Sequence, residues 1–166
     1  MDIAPPADQV ADLAGPWPWP DSSVDEALAY DVIEHIGDGQ SWDFRLVYGD
    51  HGQPEKRPAP QRHPLGRIHF MNELHRVLKP GARATIETPD ASRGVGYFQD
   101  PTHVSPWCQS TFRYFEHGAF AHTRLAKSYG ITAAFRIIEM SELGPMPAEG
   151  FGEQVWKIRA VLEAVK

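Results

Sequence analysis

The chain has 166 residues, 42% of them hydrophobic and 23% charged, with one cysteine and a formal net charge of −6 from 16 Lys+Arg against 22 Asp+Glu. These values suit one globular unit large enough for a proper core. They exclude an internal disulfide and a cysteine-built zinc cluster, and the missing basic excess disfavours a general nucleic-acid-coating role. No apolar run approaches the roughly 20 residues of a membrane span. The opening Met1-Asp2-Ile3-Ala4-Pro5-Pro6 lacks the basic-then-apolar pattern of a secretory leader, so no membrane partner and a cytoplasmic location are expected.

The 15 prolines and 14 glycines punctuate the chain unevenly. Five prolines crowd the first twenty residues, and a loop-rich insertion is expected over 37–66. Between these zones, residues 24–30 read as a strand ending at Asp31, followed by a helical turn over 32–36. Residues 67–78 read as a helix, because Ile68, Met71, Leu74, Val77 and Leu78 recur on one face. Lys79-Pro80-Gly81 stops that helix, and residues 82–88 form a strand closed by Pro89. An aromatic-rich helix is expected over 106–115, and strands over 131–139 and 155–165. In the last strand Trp156, Ile158, Ala160, Leu162 and Ala164 alternate with Lys157, Arg159 and Glu163, the pattern of one buried face.

This order predicts an α/β fold, with a βαβ unit running from the 24–30 strand through the 67–78 helix to the 82–88 strand. Ligands of such sheets bind beyond the carboxyl ends of the strands. Asp31 and Thr88-Pro89-Asp90 should therefore border the functional edge.

Four segments carry a family resemblance. Trp17-Pro18-Trp19-Pro20-Asp21-Ser22-Ser23-Val24-Asp25 is similar to the entry into the fourth strand of class I S-adenosylmethionine-dependent methyltransferases. Asp31-Val32-Ile33-Glu34-His35-Ile36 resembles the turn after that strand. Glu73-Leu74-His75-Arg76-Val77-Leu78-Lys79-Pro80-Gly81 resembles the helix exit before the fifth strand. Gln99-Asp100-Pro101-Thr102-His103-Val104 followed by Phe112-Arg113-Tyr114-Phe115 resembles the DPTH loop of a bacterial and phage subgroup, of methyltransferase type 11 kind. The likeness runs from Asp2 to the last strand. It implies a Rossmann-like methyltransferase sheet, forming a single domain over residues 1–166 that ends in an antiparallel strand pair.

The resemblance also implies site residues. Asp2 and Ile3 would meet the ribose of S-adenosylmethionine, Asp12 and Leu13 its adenine, and Asp31 would lie beside the cofactor. His103 would serve as proton acceptor with Asp100 orienting it, while Glu34, His35, Trp107 and Tyr114 would face the methyl acceptor, a small molecule or macromolecule of unidentified structure. The family's glycine-rich loop, with the first strand and helix that carry it, is not found in the sequence. Gly37-Asp38-Gly39 follows a helical turn rather than a strand, and Gly94-Val95-Gly96 has Gln99 where a third glycine would be wanted. Cofactor binding by this chain alone is accordingly expected to be weak or absent, and the fourth strand's free edge should favour self-association into a homo-oligomer. The competing expectation is a non-catalytic remnant that keeps the scaffold as a binding or self-associating module. No metal site is expected, since no His-x-x-x-His or cysteine pair occurs and His69 and His75 face different ways on their helix.

Overall fold

The computed structural model describes residues 11–37, 66–147 and 154–166. Asp2, Ile3 and most of the expected insertion lie outside the described residues. Four strands form one sheet: β1 (Val24–Tyr30), β2 (Leu78–Pro89), β3 (Phe135–Pro147) and β4 (Gln154–Ala164), in the order β1-β2-β4-β3. β1 and β2 are parallel neighbours joined through helix α1 (Gly66–Val77), while β4 runs antiparallel to both β2 and β3. The expected βαβ unit and terminal strand pair are both present.

α1 forms where the apolar period is strongest. It buries Ile68, Phe70, Met71, Leu74 and Val77 against one face of the sheet, where Ala84, Ile86, Ile158, Ala160, Leu162 and Ala164 are also buried. Those positions alternate along β2 and β4, so the opposite face carries Thr85, Glu87, Arg159 and Glu163, two of which pair as Arg159–Glu87. Gly81, at φ +75°, allows the irregular start of β2, where the register slips between Val24↔Leu78 and Glu26↔Arg83.

The segment entering β1 is fastened to α1 by Arg76. Its guanidinium donates to both Glu73 oxygens at 2.8–2.9 Å, to Asp21 at 2.7 Å and to the carbonyls of Trp17 and Trp19. Trp17 is buried edge-on to Phe70, with 5.2 Å between ring centroids.

A short helix, α2 (Val95–Phe98), follows β2. Beyond it the structure corrects three expectations. The helix expected over 106–115 is only α3 (Gln109–Phe112) and a following 3-10 turn, Arg113–Phe115. Thr111 folds back to accept from the Cys108 amide at 3.2 Å, so the helix starts late. A further helix, α4 (Phe120–Tyr129), lies where none was expected and ends at Gly130 in the left-handed conformation, φ +71°. The strand expected from 131 begins at Phe135, because Thr132 and Ala133 donate their amides to the Asn72 side chain on α1 instead of to a ladder. No helix among the described residues is long and apolar enough to cross a membrane.

Candidate functional site

The parallel strands deliver their carboxyl ends to one edge of the sheet. The turn after β1, the segment after β2 and the start of β4 meet there around a cavity of about 260 Å³, lined by Asp31, Glu34, His35, Gln99, Asp100, His103, Trp156 and Lys157, among others. Asp31 leaves β1 at φ +52°, a conformation Asp tolerates better than most residues, and pairs with Lys157 across the sheet.

Glu34 organises the site. It is fully buried, and its Oε2 accepts from the Thr88 hydroxyl at 2.9 Å. Its Oε1 has no hydrogen-bond partner among the described residues. Burial pushes the carboxyl above its ordinary range, against hydrogen bonds from its own backbone and from Thr88. The loop carrying Thr102 and His103 closes on this turn by main-chain bonds: the amides of Val104 and Ser105 both donate to the Glu34 carbonyl at 2.9 Å. His35 joins the same clasp, its Nδ1 lying 3.3 Å from the Thr102 carbonyl and 3.2 Å from the Thr102 hydroxyl.

His103 is held from behind. Its Nδ1 donates to the Tyr97 carbonyl at 2.7 Å, which leaves Nε2 facing Glu34 Oε1 at 4.0 Å and Asp100 Oδ2 at 3.8 Å. A carbonyl can only accept, so this contact places the ring proton on Nδ1. The His35 and His103 rings meet edge-on, 4.8 Å apart. Asp100 directs Oδ1 at the Thr102 amide (2.8 Å) and hydroxyl (2.6 Å); the hydroxyl bond first, then the amide, holds its carboxyl below the usual range.

The structure thus brings together Asp31, Glu34, His35, Asp100 and His103. Trp107, Tyr114, Asp12 and Leu13 lie apart from this group, and Asp2 and Ile3 fall outside the described residues. The hydrogen-bond partner that fixes the His103 ring is the Tyr97 carbonyl, while Asp100, its Oδ1 engaged by Thr102, keeps Oδ2 3.8 Å from His103 Nε2. Trp107 is wholly buried and donates its indole N–H to the Ile33 carbonyl at 3.3 Å, so it is core and not a wall of the cavity. Tyr114 faces Tyr129, 6.3 Å between centroids, away from the cavity. Asp12 accepts from the Ala14 amide at 2.9 Å within its own turn, and the Leu13 carbonyl accepts from Trp17. Thr88 was expected at the functional edge, but Tyr97 and Lys157 did not stand out in the sequence. Only Thr88 carried a signal, as a small hydroxyl residue at the carboxyl end of an otherwise apolar-patterned strand.

The described residues do not fit a complete S-adenosylmethionine site. The cavity is smaller than the roughly 300–1,000 Å³ usual for ligands of drug size. Asp12 is turned into its own loop, and no described glycine-rich turn joins a strand to a helix as such a cofactor requires.

No protein-family model matches the chain, and no curated protein matches it in sequence. Solved structures match it by fold. A SAM-dependent methyltransferase from Methanosarcina mazei superposes with a TM-score of 0.53 at 13% identity, over 95% of this chain and 66% of that one. A protein assigned as a methyltransferase, in complex with the Haloferax volcanii methyltransferase activator Trm112, gives 0.51 at 14%, over 95% and 61%. The [4+2]-cyclase SpnF gives 0.51 at 12%, over 95% and 56%. The chain therefore has a class I methyltransferase fold, of Rossmann-like α/β type, and spans less than two thirds of the length of these three proteins. The cyclase among them illustrates that this fold does not by itself specify one reaction.

Proposed function

We propose that the described residues form the acceptor side of an S-adenosylmethionine-dependent methyl-transfer site, acting on an unidentified acceptor. The observation that carries this reading is the hydrogen-bonded clasp of two loops at the carboxyl ends of β1 and β2, in a methyltransferase fold. Methyl transfer asks the protein mainly for proximity and orientation, with a base where the acceptor carries a proton. His103 suits the role of that base, because its Nδ1–H is tied to Tyr97 and its Nε2 points toward the cavity. Glu34 and His35 border the acceptor, and Asp31 with Lys157 closes the rim. S-adenosylmethionine would supply the methyl group; this chain's residues would bind and orient the acceptor and take its proton.

Because the described residues lack a full cofactor cradle, the purified chain should give no saturable heat with S-adenosylmethionine in the micromolar range. Micromolar one-to-one binding to the monomer would overturn the restriction to the acceptor side. A second reading, a self-associating scaffold, has its own support. Among the described residues β1 pairs on one edge only, and Leu28 and Tyr30 on it are 59% and 50% exposed. Sedimentation equilibrium separates the two, since only the second reading requires a dimer.

A further inference from the structure

Glu34 Oε1 is a buried carboxyl oxygen that no group among the described residues satisfies. Such an atom is costly unless something compensates it. Two imidazole nitrogens face it, Nε2 of His35 and Nε2 of His103, each at 4.0 Å, too far for a hydrogen bond.

The surrounding bonds settle what these nitrogens carry in the neutral rings. His103 Nδ1 must hold its proton, because its partner is the Tyr97 carbonyl. His35 Nδ1 faces the Thr102 carbonyl, and also a Thr102 hydroxyl whose own proton goes to Asp100. Both of its neighbours are acceptors, so His35 Nδ1 holds its proton too. Each Nε2 is then left with a lone pair, directed at the same small volume as Oε1. One ligand atom from each of the three residues lies within 4.8 Å of the others. With the Glu34 carboxyl ionised, three electron-pair donors converge with no donor hydrogen among them, and a cation is a partner that satisfies all three at once.

We propose that Glu34, His35 and His103 bind one divalent first-row transition ion of the zinc class on the wall of the cavity. Two nitrogen donors and one carboxylate favour such an ion over magnesium or calcium, which take oxygen ligands. Donation of the second ring nitrogen to a backbone carbonyl is the outer-shell support that metal-binding histidines usually have, and both rings have it. Ligands at about 2.1 Å from a tetrahedral ion stand about 3.4 Å apart, so binding would draw Oε1 and each imidazole nitrogen together by about 0.6 Å and the widest pair, now within 4.8 Å, by up to about 1.4 Å. Three protein ligands leave a position open, and here it opens toward the cavity and Asp100. Such a site can hold an acceptor through an oxygen lone pair and acidify a hydroxyl, in place of the free His103 ring.

The site is that of the proposed function, but ion binding does not require methyl transfer, so the two readings fail separately. The full chain, stripped of metal with a chelator, is titrated with Co²⁺ and followed by visible absorption, then by calorimetry with Zn²⁺. One ion per chain, with d–d bands, is expected. Glu34→Gln and His103→Asn should each weaken binding about tenfold or more, while His117→Asn leaves it unchanged. A measurement on the unaltered protein guards against misfolded variants: ¹⁵N resonances of Nε2 in His35 and His103 should move on adding Zn²⁺. Absence of cobalt bands, unchanged affinity in both folded variants, or shifts confined to other histidines would overturn the proposal.

Discussion

Thr88→Val removes one hydroxyl from the centre of the clasp and keeps the side chain's shape. Thr88 and Glu34 are both 0% exposed, and the hydroxyl at 2.9 Å is the hydrogen-bond donor to Glu34 Oε2. Valine leaves that buried oxygen without it, a loss of about 1–3 kcal/mol. For a chain of this size, about 2 kcal/mol lowers the melting temperature by roughly 4–8 °C. The bond with Thr88 favours the ionised carboxyl, lowering a pKa that burial has raised. Its contribution is therefore present at neutral and alkaline pH and lost as pH falls and the carboxyl takes a proton. Urea denaturation of metal-free protein should show a lower midpoint at unchanged slope, with the gap to wild type narrowing in acid. Adding Glu34→Leu should cost less than the two single changes summed, because the orphaned oxygen goes with it. A Thr88→Val stability within about 0.5 kcal/mol of wild type at neutral pH would refute the buried pairing.

Three further outcomes follow from contacts away from the cavity. Arg76→Lys should cost about 1–2 kcal/mol in urea denaturation, since lysine keeps the charge but not the fork that holds Glu73 and the carbonyls before β1. The Arg76 side-chain bond, ahead of other causes, holds the Glu73 carboxyl below its ordinary value of 4.5; its stabilisation is full above that value and lost as pH falls through the lowered one. His75 titrates below its ordinary value of 6.5, chiefly through burial, so the unfolded chain takes the proton first; stability is full above 6.5 and declines as pH falls below it. His75→Gln should flatten that slope between about pH 6.5 and 5. Gly66→Ala should destabilise by about 3 kcal/mol or abolish folding, because a Cβ there would stand 1.8 Å from the Gly37 carbonyl oxygen; a soluble variant with an unchanged midpoint would contradict the close approach of these two glycines.

What could be read from the sequence was set by locality. α1 is legible because Ile68, Met71, Leu74 and Val77 repeat at helical spacing, and β4 because its burial alternates from Ile158 to Ala164. α4 is not, since Ala126 is its one buried residue and its apolar face is correspondingly weak, although Gly118 and Gly130 at its flanks mark its limits. The placement of Asp31, Glu34, His35, Asp100 and His103 at one edge follows from strand order. The meeting of Glu34 and His35 with His103 does not, because it depends on main-chain bonds from Val104 and Ser105 to a carbonyl some 70 residues earlier, about which ligand spacing says nothing. Trp107 misleads for a related reason: an aromatic in a loop suggests a binding wall, but the Ile33 carbonyl gives its indole a partner inside the core.

The central claim is that the edge holding Glu34, His35 and His103 is the acceptor side of a methyl-transfer site, which places it next to the methyl group of the donor. Ultraviolet crosslinking of methyl-labelled S-adenosylmethionine at millimolar concentration, followed by peptide mapping, tests it most directly. Adducts should fall in the peptides containing residues 31–37 and 97–103 and diminish with excess S-adenosylhomocysteine. Adducts confined to the separate cavity around His117, His122 and Lys127, or labelling that the competitor leaves unchanged, would contradict it.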